Sequence, residues 1–166
     1  MPDESAANTA GSTLENTQPS FQIVKIYLKE ASFEQPNSPQ ILTETASPKT
    51  EISIQTAFEK LTGDNYEVLL KATISSRIED RVVFLVSVEQ AGIFELKNIP
   101  ADQVDPILEI NCPGIILPSL RYNVADLVSR AGFPSFTLAE INFNALYQQK
   151  LANQQANAGV PTPPAA

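Results

Sequence analysis

The side chains able to do acid–base work here are carboxylates and four tyrosines, because the chain has no histidine. Asp102, Asp105 and Glu109 recur at helical spacing, an arrangement that on a helix face holds a metal ion or shares a proton. The plainer reading is a solvated helix start, where carboxylates complement the helix dipole. Glu79 and Asp80 fall in a turn, where solvation again explains them. Cys112 stands beside a proline in an apolar segment and reads as packing, not as a nucleophile. A single thiol excludes disulfides within the chain and cysteine-rich zinc sites. The absence of histidine removes the usual general base and the commonest metal ligand together. None of GxxxxGK[ST], GxGxxG or GxSxG occurs. Eleven basic residues against nineteen acidic ones leave a formal charge of −8. That balance excludes a nucleic-acid binder, which needs clustered cations to displace counterions. The expectation is a binding protein with no cofactor and no metal.

The elements that must carry these residues change character halfway along. Ile52, Ile54 and Phe58 alternate with Glu51, Ser53 and Gln55. Tyr66, Val68, Leu70, Ala72 and Ile74 alternate with Glu67, Lys71 and Thr73, and Val82, Phe84, Val86 and Val88 share one face. Each pattern predicts a half-buried antiparallel strand. Residues 62–65 and 76–81 are the expected turns. An earlier strand is expected over 21–29, with Val24, Ile26 and Leu28 on one face and Phe21, Ile23 and Tyr27 on the other. Apolar residues on both faces predict cover on both sides, by a partner subunit. Between it and the next strand lies a long segment holding Pro36, Pro39 and Pro48, longer than a hairpin needs and therefore a crossover loop.

Helical spacing follows. A short helix is expected over 104–112, broken by Cys112-Pro113-Gly114. Leu117, Leu120, Val124, Leu127, Val128 and Ala131 form an amphipathic stripe that Gly132 ends. Asn142 is the expected cap of a last helix with Phe143, Leu146, Tyr147 and Leu151 on one face. The sum is an α+β fold: a four-stranded antiparallel sheet with helices packed on one face. Residues 1–20 lack apolar material and read as a disordered tail, residues 21–152 as one domain, and the Pro- and Ala-rich residues 153–166 as a second disordered tail. The first twenty residues hold no basic residue and no apolar run, so no signal peptide is expected and the location predicted is the cytoplasm.

Four collinear stretches resemble the SecB family of protein-export chaperones: FQIVKIYLKEASFEQPN at 21–37, FLVSVEQAGIF at 84–94, CPGIILP at 112–118 with LVSR at 127–130 and FP at 133–134, and LAEINFNALY at 138–147. They span about residues 21–151 in family order, and Glu30 stands where the family usually has Asp. The resemblance implies a homotetramer, a dimer of dimers, which would cover the two-faced first strand. It implies an ATP-independent holdase that keeps unfolded precursor proteins translocation-competent and delivers them to the SecA motor, with no nucleic acid and no membrane insertion. A related chaperone serving a toxin–antitoxin pair is the alternative within this class. The expected client groove comprises Phe33, Ile41, Leu42, Ile115, Ile116, Leu117, Phe143 and Leu146. The last two are weighed also as core, since helix faces usually fill cores. The positions matching the family's SecA-binding patch are Glu30, Glu34, Ile78 and Asp80.

Overall fold

The computed structural model describes residues 16–159. Four long strands, β1 (Ser20–Glu34), β2 (Lys49–Lys60), β3 (Asn65–Ile78) and β4 (Arg81–Lys97), form one antiparallel sheet in the order β1-β4-β3-β2. β2, β3 and β4 are a meander joined by tight turns. Gly63 supplies a positive φ of 68° in the first turn, and Glu79 one of 53° in the second. The second turn is tighter than expected, because β3 continues through Ser76 to Ile78 and leaves Glu79 and Asp80 as the link. β1 lies beside β4, so the chain between β1 and β2 crosses the width of the sheet, as the proline-rich segment predicts. The sheet and the helices on one of its faces match the expected α+β plan.

Period-two patterning works as anticipated in β3 and in β4 from Phe84 onward. Val82, expected on the face of Phe84, Val86 and Val88, instead pairs with Arg77 on the other face, because the extra residue Val83 shifts the register there. Val68, Leu70, Ala72 and Ile74 of β3 and Val86, Val88 and Phe94 of β4 are all fully buried on one face. Against that face lies α2 (Cys112–Arg130), whose Cys112, Ile116, Leu120, Val124 and Val128 follow a four-residue step and are themselves at most 1% exposed.

The expected break at Cys112-Pro113-Gly114 does not occur. α1 (Ala101–Pro106), a π turn (Ile107–Asn111) and α2 run on as one helical rod. The π turn resets the hydrogen-bond ladder, so Pro113 falls in the first turn of α2, where its missing N–H is not needed. Pro118, further along, lies inside α2 and removes the one ladder hydrogen bond its N–H would have made. α2 ends as expected, with Gly132 at φ +94°. α3 (Phe143–Ala158) is capped by the Asn142 Oδ1, which accepts from the Ala145 N–H at 3.0 Å.

The expected tails differ from what is described. Residues 153–158, placed in the C-terminal tail by composition, continue α3, since Ala and Gln favour helix once a capped helix is running. Residues 16–18 are tied to the sheet, the Asn98 Nδ2 donating to the Asn16 carbonyl at 2.8 Å and to that of Gln18 at 3.1 Å. The rest of both expected tails, residues 1–15 and 160–166, lies outside the described residues.

β1 departs most from simple alternation. Register shifts between Ile23 and Lys25 and between Leu28 and Glu30 insert an extra residue twice. Phe21, Ile23, Ile26, Leu28, Ala31 and Phe33 therefore all pair with helix-facing residues of β4: Leu96, Phe94, Gly92, Gln90, Val88 and Val86. The expected division of Phe21 and Ile23 from Ile26 and Leu28 is thus corrected, because each bulge flips the strand's later side chains to the other face.

Candidate functional site

An open groove of about 410 Å³ lies at the end of the sheet where β3 turns into β4. Its floor is the helix-facing side of that end, with Ser76, Ile78, Val83 and Phe84. One wall is the crossover loop, with Ile41, Leu42, Glu44, Ala46 and Pro48. The other is the end of α2 and the segment after it, with Val128, Phe133, Pro134 and Phe136. A single helical turn (Gln40–Thr43) shapes the loop wall, its Ile41 N–H donating to the Asn37 carbonyl at 3.0 Å. Ile41 is 3% exposed and Leu42 46%. Two adjacent aliphatics on one short turn cannot face the same core, so one anchors the loop and its neighbour stays in solvent. Below them three rings run in series. Phe33 stacks on Phe84 with centroids 5.6 Å apart, and Phe84 meets Phe133 at 5.0 Å.

The polar side chains of the lining are few: Glu44, Thr50, Ser76 and Ser135. Glu44 at the rim pairs with Arg81 at 2.6 Å, and the hydrogen bond and charge of that guanidinium hold its carboxyl below the ordinary 4.5. Thr50 Oγ1 reaches the buried Ser76 Oγ at 3.4 Å. Elsewhere the groups that might do chemistry are tied into the structure. Glu109 is paired with Lys150 of α3, while Asp102 and Asp105 remain exposed. Among the described residues no group of three His, Cys, Asp or Glu side chains gathers as for a metal ion. Burial pushes the Cys112 thiol up to about 12, which leaves it protonated and unreactive at neutral pH.

The residues expected to line the groove separate. Ile41 and Leu42 line it, and Phe33 supports its floor through Phe84. Ile116 is fully buried and Leu117 is 8% exposed. Both belong to the core, because the continuous α2 turns them towards the sheet. Phe143 is 6% exposed and also packs in the core, whereas the half-exposed Leu146 and partly buried Ile115 lie outside the groove lining. Among the lining residues that sequence reasoning omitted are Phe84 on the floor and Val128, Phe133 and Phe136 on the far wall. The signal for the last two was present, as two phenylalanines in a short non-periodic segment just after a helix stop.

The residues expected to meet SecA also divide. Glu30 and Glu34 are exposed and pair with Glu89 and Leu85, on the sheet face away from the helices. Asp80 is exposed in the β3–β4 turn. Ile78, 8% exposed, is on the opposite face and lines the groove. On the same outer face as Glu30, Tyr27 and Lys29 converge on Glu67, the lysine at 2.9 Å. Burial alone would raise the Glu67 carboxyl, yet hydrogen bonds from Tyr27 and Lys29 and the Lys29 charge outweigh it and leave it lowered. Burial, followed by the bond to Glu67, pushes Tyr27 from 10.0 up to about 12.

The second exposed apolar surface is β1 itself. Phe21, Ile23, Val24 and Leu28 are 40–55% exposed, and Tyr122 of α2, beside this strand, is 71% exposed. No helix among the described residues is long and apolar enough to cross a membrane.

A helix-backed antiparallel sheet with an apolar groove at one end and an uncovered apolar edge strand defines a binding protein. The family model described as "Preprotein translocase subunit SecB" matches residues 14–154. The chain belongs to the SecB family of protein-export chaperones, a family of chaperones and not of enzymes. It is 49% identical over 148 residues to the protein-export protein SecB of Paraburkholderia phymatum, covering 87% of this chain and 95% of that one. It is 48% identical over 153 residues to that of Burkholderia mallei, covering 90% and 96%. Among solved structures, the SecB-like chaperone of Mycobacterium tuberculosis, in complex with a ChAD peptide from an antitoxin, superimposes with a TM-score of 0.61. That match covers 74% of this chain and 91% of the other at 16% identity, which shows a shared fold.

Proposed function

We propose that the chain is an ATP-independent holdase of the cytoplasm that binds unfolded precursor proteins in the groove and passes them to SecA. The observation that carries this reading is the groove itself, lined mostly by apolar side chains on its floor and both walls yet open to solvent. Such a surface accepts aliphatic and aromatic side chains of an extended polypeptide without reading their order. Folded proteins have no such stretch to offer, so selection acts on the client's folding state. Burying three or four client side chains contributes roughly 5 to 10 kcal/mol gross, at about 1.5 to 3 each. Ordering the client offsets much of it. Several grooves on one assembly, engaging one long chain, raise the effective concentration and restore the affinity. A homotetramer built as a dimer of dimers supplies those grooves, and the apolar edge of β1 with Tyr122 is the surface such an assembly would cover. The absence of a phosphate-cradling glycine loop agrees with independence from ATP.

The discriminating variant is Leu42→Asp. Leu42 is half exposed, so the substitution charges the groove without burying a carboxylate, whereas Ile41→Asp would unfold the loop. Capture of a permanently unfolded, carboxymethylated test protein should weaken about tenfold, with particle size by light scattering unchanged. Unaltered capture refutes the groove. Charge reversal at Glu30 and Glu34 should reduce SecA binding and salt sensitivity while sparing client capture. Loss of both together would make those residues structural.

A further inference from the structure

The crossover loop is pinned to the sheet at both ends of its buried residue. Upstream, the Asn37 Nδ2 donates to the Val82 carbonyl at 3.0 Å. Downstream, the Arg81 Nη1 donates to the Glu44 Oε1 at 2.6 Å. The two anchors are adjacent residues at the start of β4, so the eight-residue arc between them is closed onto one short piece of strand. Within the arc, Ile41 is wedged into the core and Leu42 is turned out over the groove. A third tether, the Gln35 Nε2 donating to the Ala131 carbonyl at 3.1 Å, fixes the base of the loop to the end of α2, the opposite wall.

We propose that Glu44 and Arg81 are positioning residues for client binding: their ion pair, with the Asn37–Val82 bond, clamps the loop so that the Leu42 wall stands at a set distance from Phe133 and Phe136. The inference rests on the groove being the client site. A wall held in its binding conformation before the client arrives loses no further freedom on binding, and that preorganisation appears as affinity. The pair is well suited to the task. An exposed ion pair contributes little to global folding, but a one-residue lever at the rim moves the whole arc. The side chains are 32% and 46% exposed, so salt reaches and weakens the clamp.

The test uses the full chain and the carboxymethylated test protein as probe. E44Q and R81Q should each weaken capture by about twofold to fivefold, the factor an exposed pair allows. The double variant should be no worse than either single, since both remove one interaction. R81K, which keeps the charge, should recover part of the loss, and E44Q should flatten the salt dependence of capture. Without any client, amide exchange at Ile41, Leu42 and Glu44 should quicken severalfold in E44Q while the thermal midpoint stays put. Unchanged or tighter capture by both single variants, additive losses, or a midpoint falling in step with capture overturns the clamp. Failure of the unsubstituted protein to capture the probe overturns the groove's function instead, and the exchange rates then still decide whether the clamp exists.

Discussion

Gly92 sits on the helix-facing side of β4, opposite Ile26 of β1 and Val68 of β3. A Cβ added there would lie 2.7 Å and 2.9 Å from two ring carbons of Phe94 and 2.9 Å from the Ile26 Cδ1. These contacts are not equivalent. Ile26 ends in a flexible methyl on an edge strand and can turn away. Phe94 is fully buried and stacked on Phe21 with centroids 5.7 Å apart, so its ring has nowhere to retreat. Gly92→Ala should therefore cost about 1 to 3 kcal/mol as overpacking. About 0.4 to 1 kcal/mol returns through the stiffer unfolded chain. At the middle of both ranges the net is about 1.3 kcal/mol, which lowers the thermal midpoint by about 3 to 5 °C in a chain of this size. Calorimetry at one fixed protein concentration measures it, since any self-association shifts the midpoint too. Ile26→Val removes the Cδ1, and so should cost less in the Gly92→Ala background than in the unsubstituted chain. A Gly92→Ala midpoint at or above that of the unsubstituted protein would refute the reasoning, as would an equal cost of Ile26→Val in both backgrounds.

Four further outcomes follow from the geometry. Asn142→Ala removes the side-chain cap on the Ala145 N–H and should destabilise α3 by about 1 kcal/mol; because Phe143 is the one residue of α3 that is buried, the loss should appear as faster amide exchange in that helix. Tyr27, raised from 10.0 to about 12, contributes stability that is present below pH 10 and lost as pH rises through 12; phenolate absorbance should show a late step that Tyr27→Phe abolishes. Glu67, lowered below 4.5, contributes stability present above that value and lost as pH falls through its depressed one; Lys29→Met should move the acid-unfolding midpoint upward. Cys112, fully buried with its thiol near 12, should resist alkylation in the native state and react on unfolding, and brisk modification of the native protein would contradict its burial.

Much of the fold was legible because its signals are local. Alternation in β3 and β4, the glycine after α2 and the Asn142 cap each depend on a few neighbouring residues. The groove was half legible: Ile41 and Leu42 stood out as paired aliphatics among prolines. Ile116 misled because the apparent break at Pro113 detached it from the helix whose buried stripe it completes, whereas Leu117 already headed the expected stripe and is core with it. Phe133 and Phe136 carry no period, and their role depends on α2 delivering them beside Phe84.

What the amino-acid sequence determined by itself was the strand and helix periods, the crossover, the lack of catalytic groups and the family. Tertiary structure alone decided which apolar residues are surface and which are core. The two bulges in β1 show why. A single inserted residue reverses the facing of every side chain after it, and whether a strand bulges depends on its partner's register, not on its own pattern. The same holds at the groove, where Ile41 is buried and Leu42 exposed because Asn37 and Glu44 are held by residues more than thirty positions away.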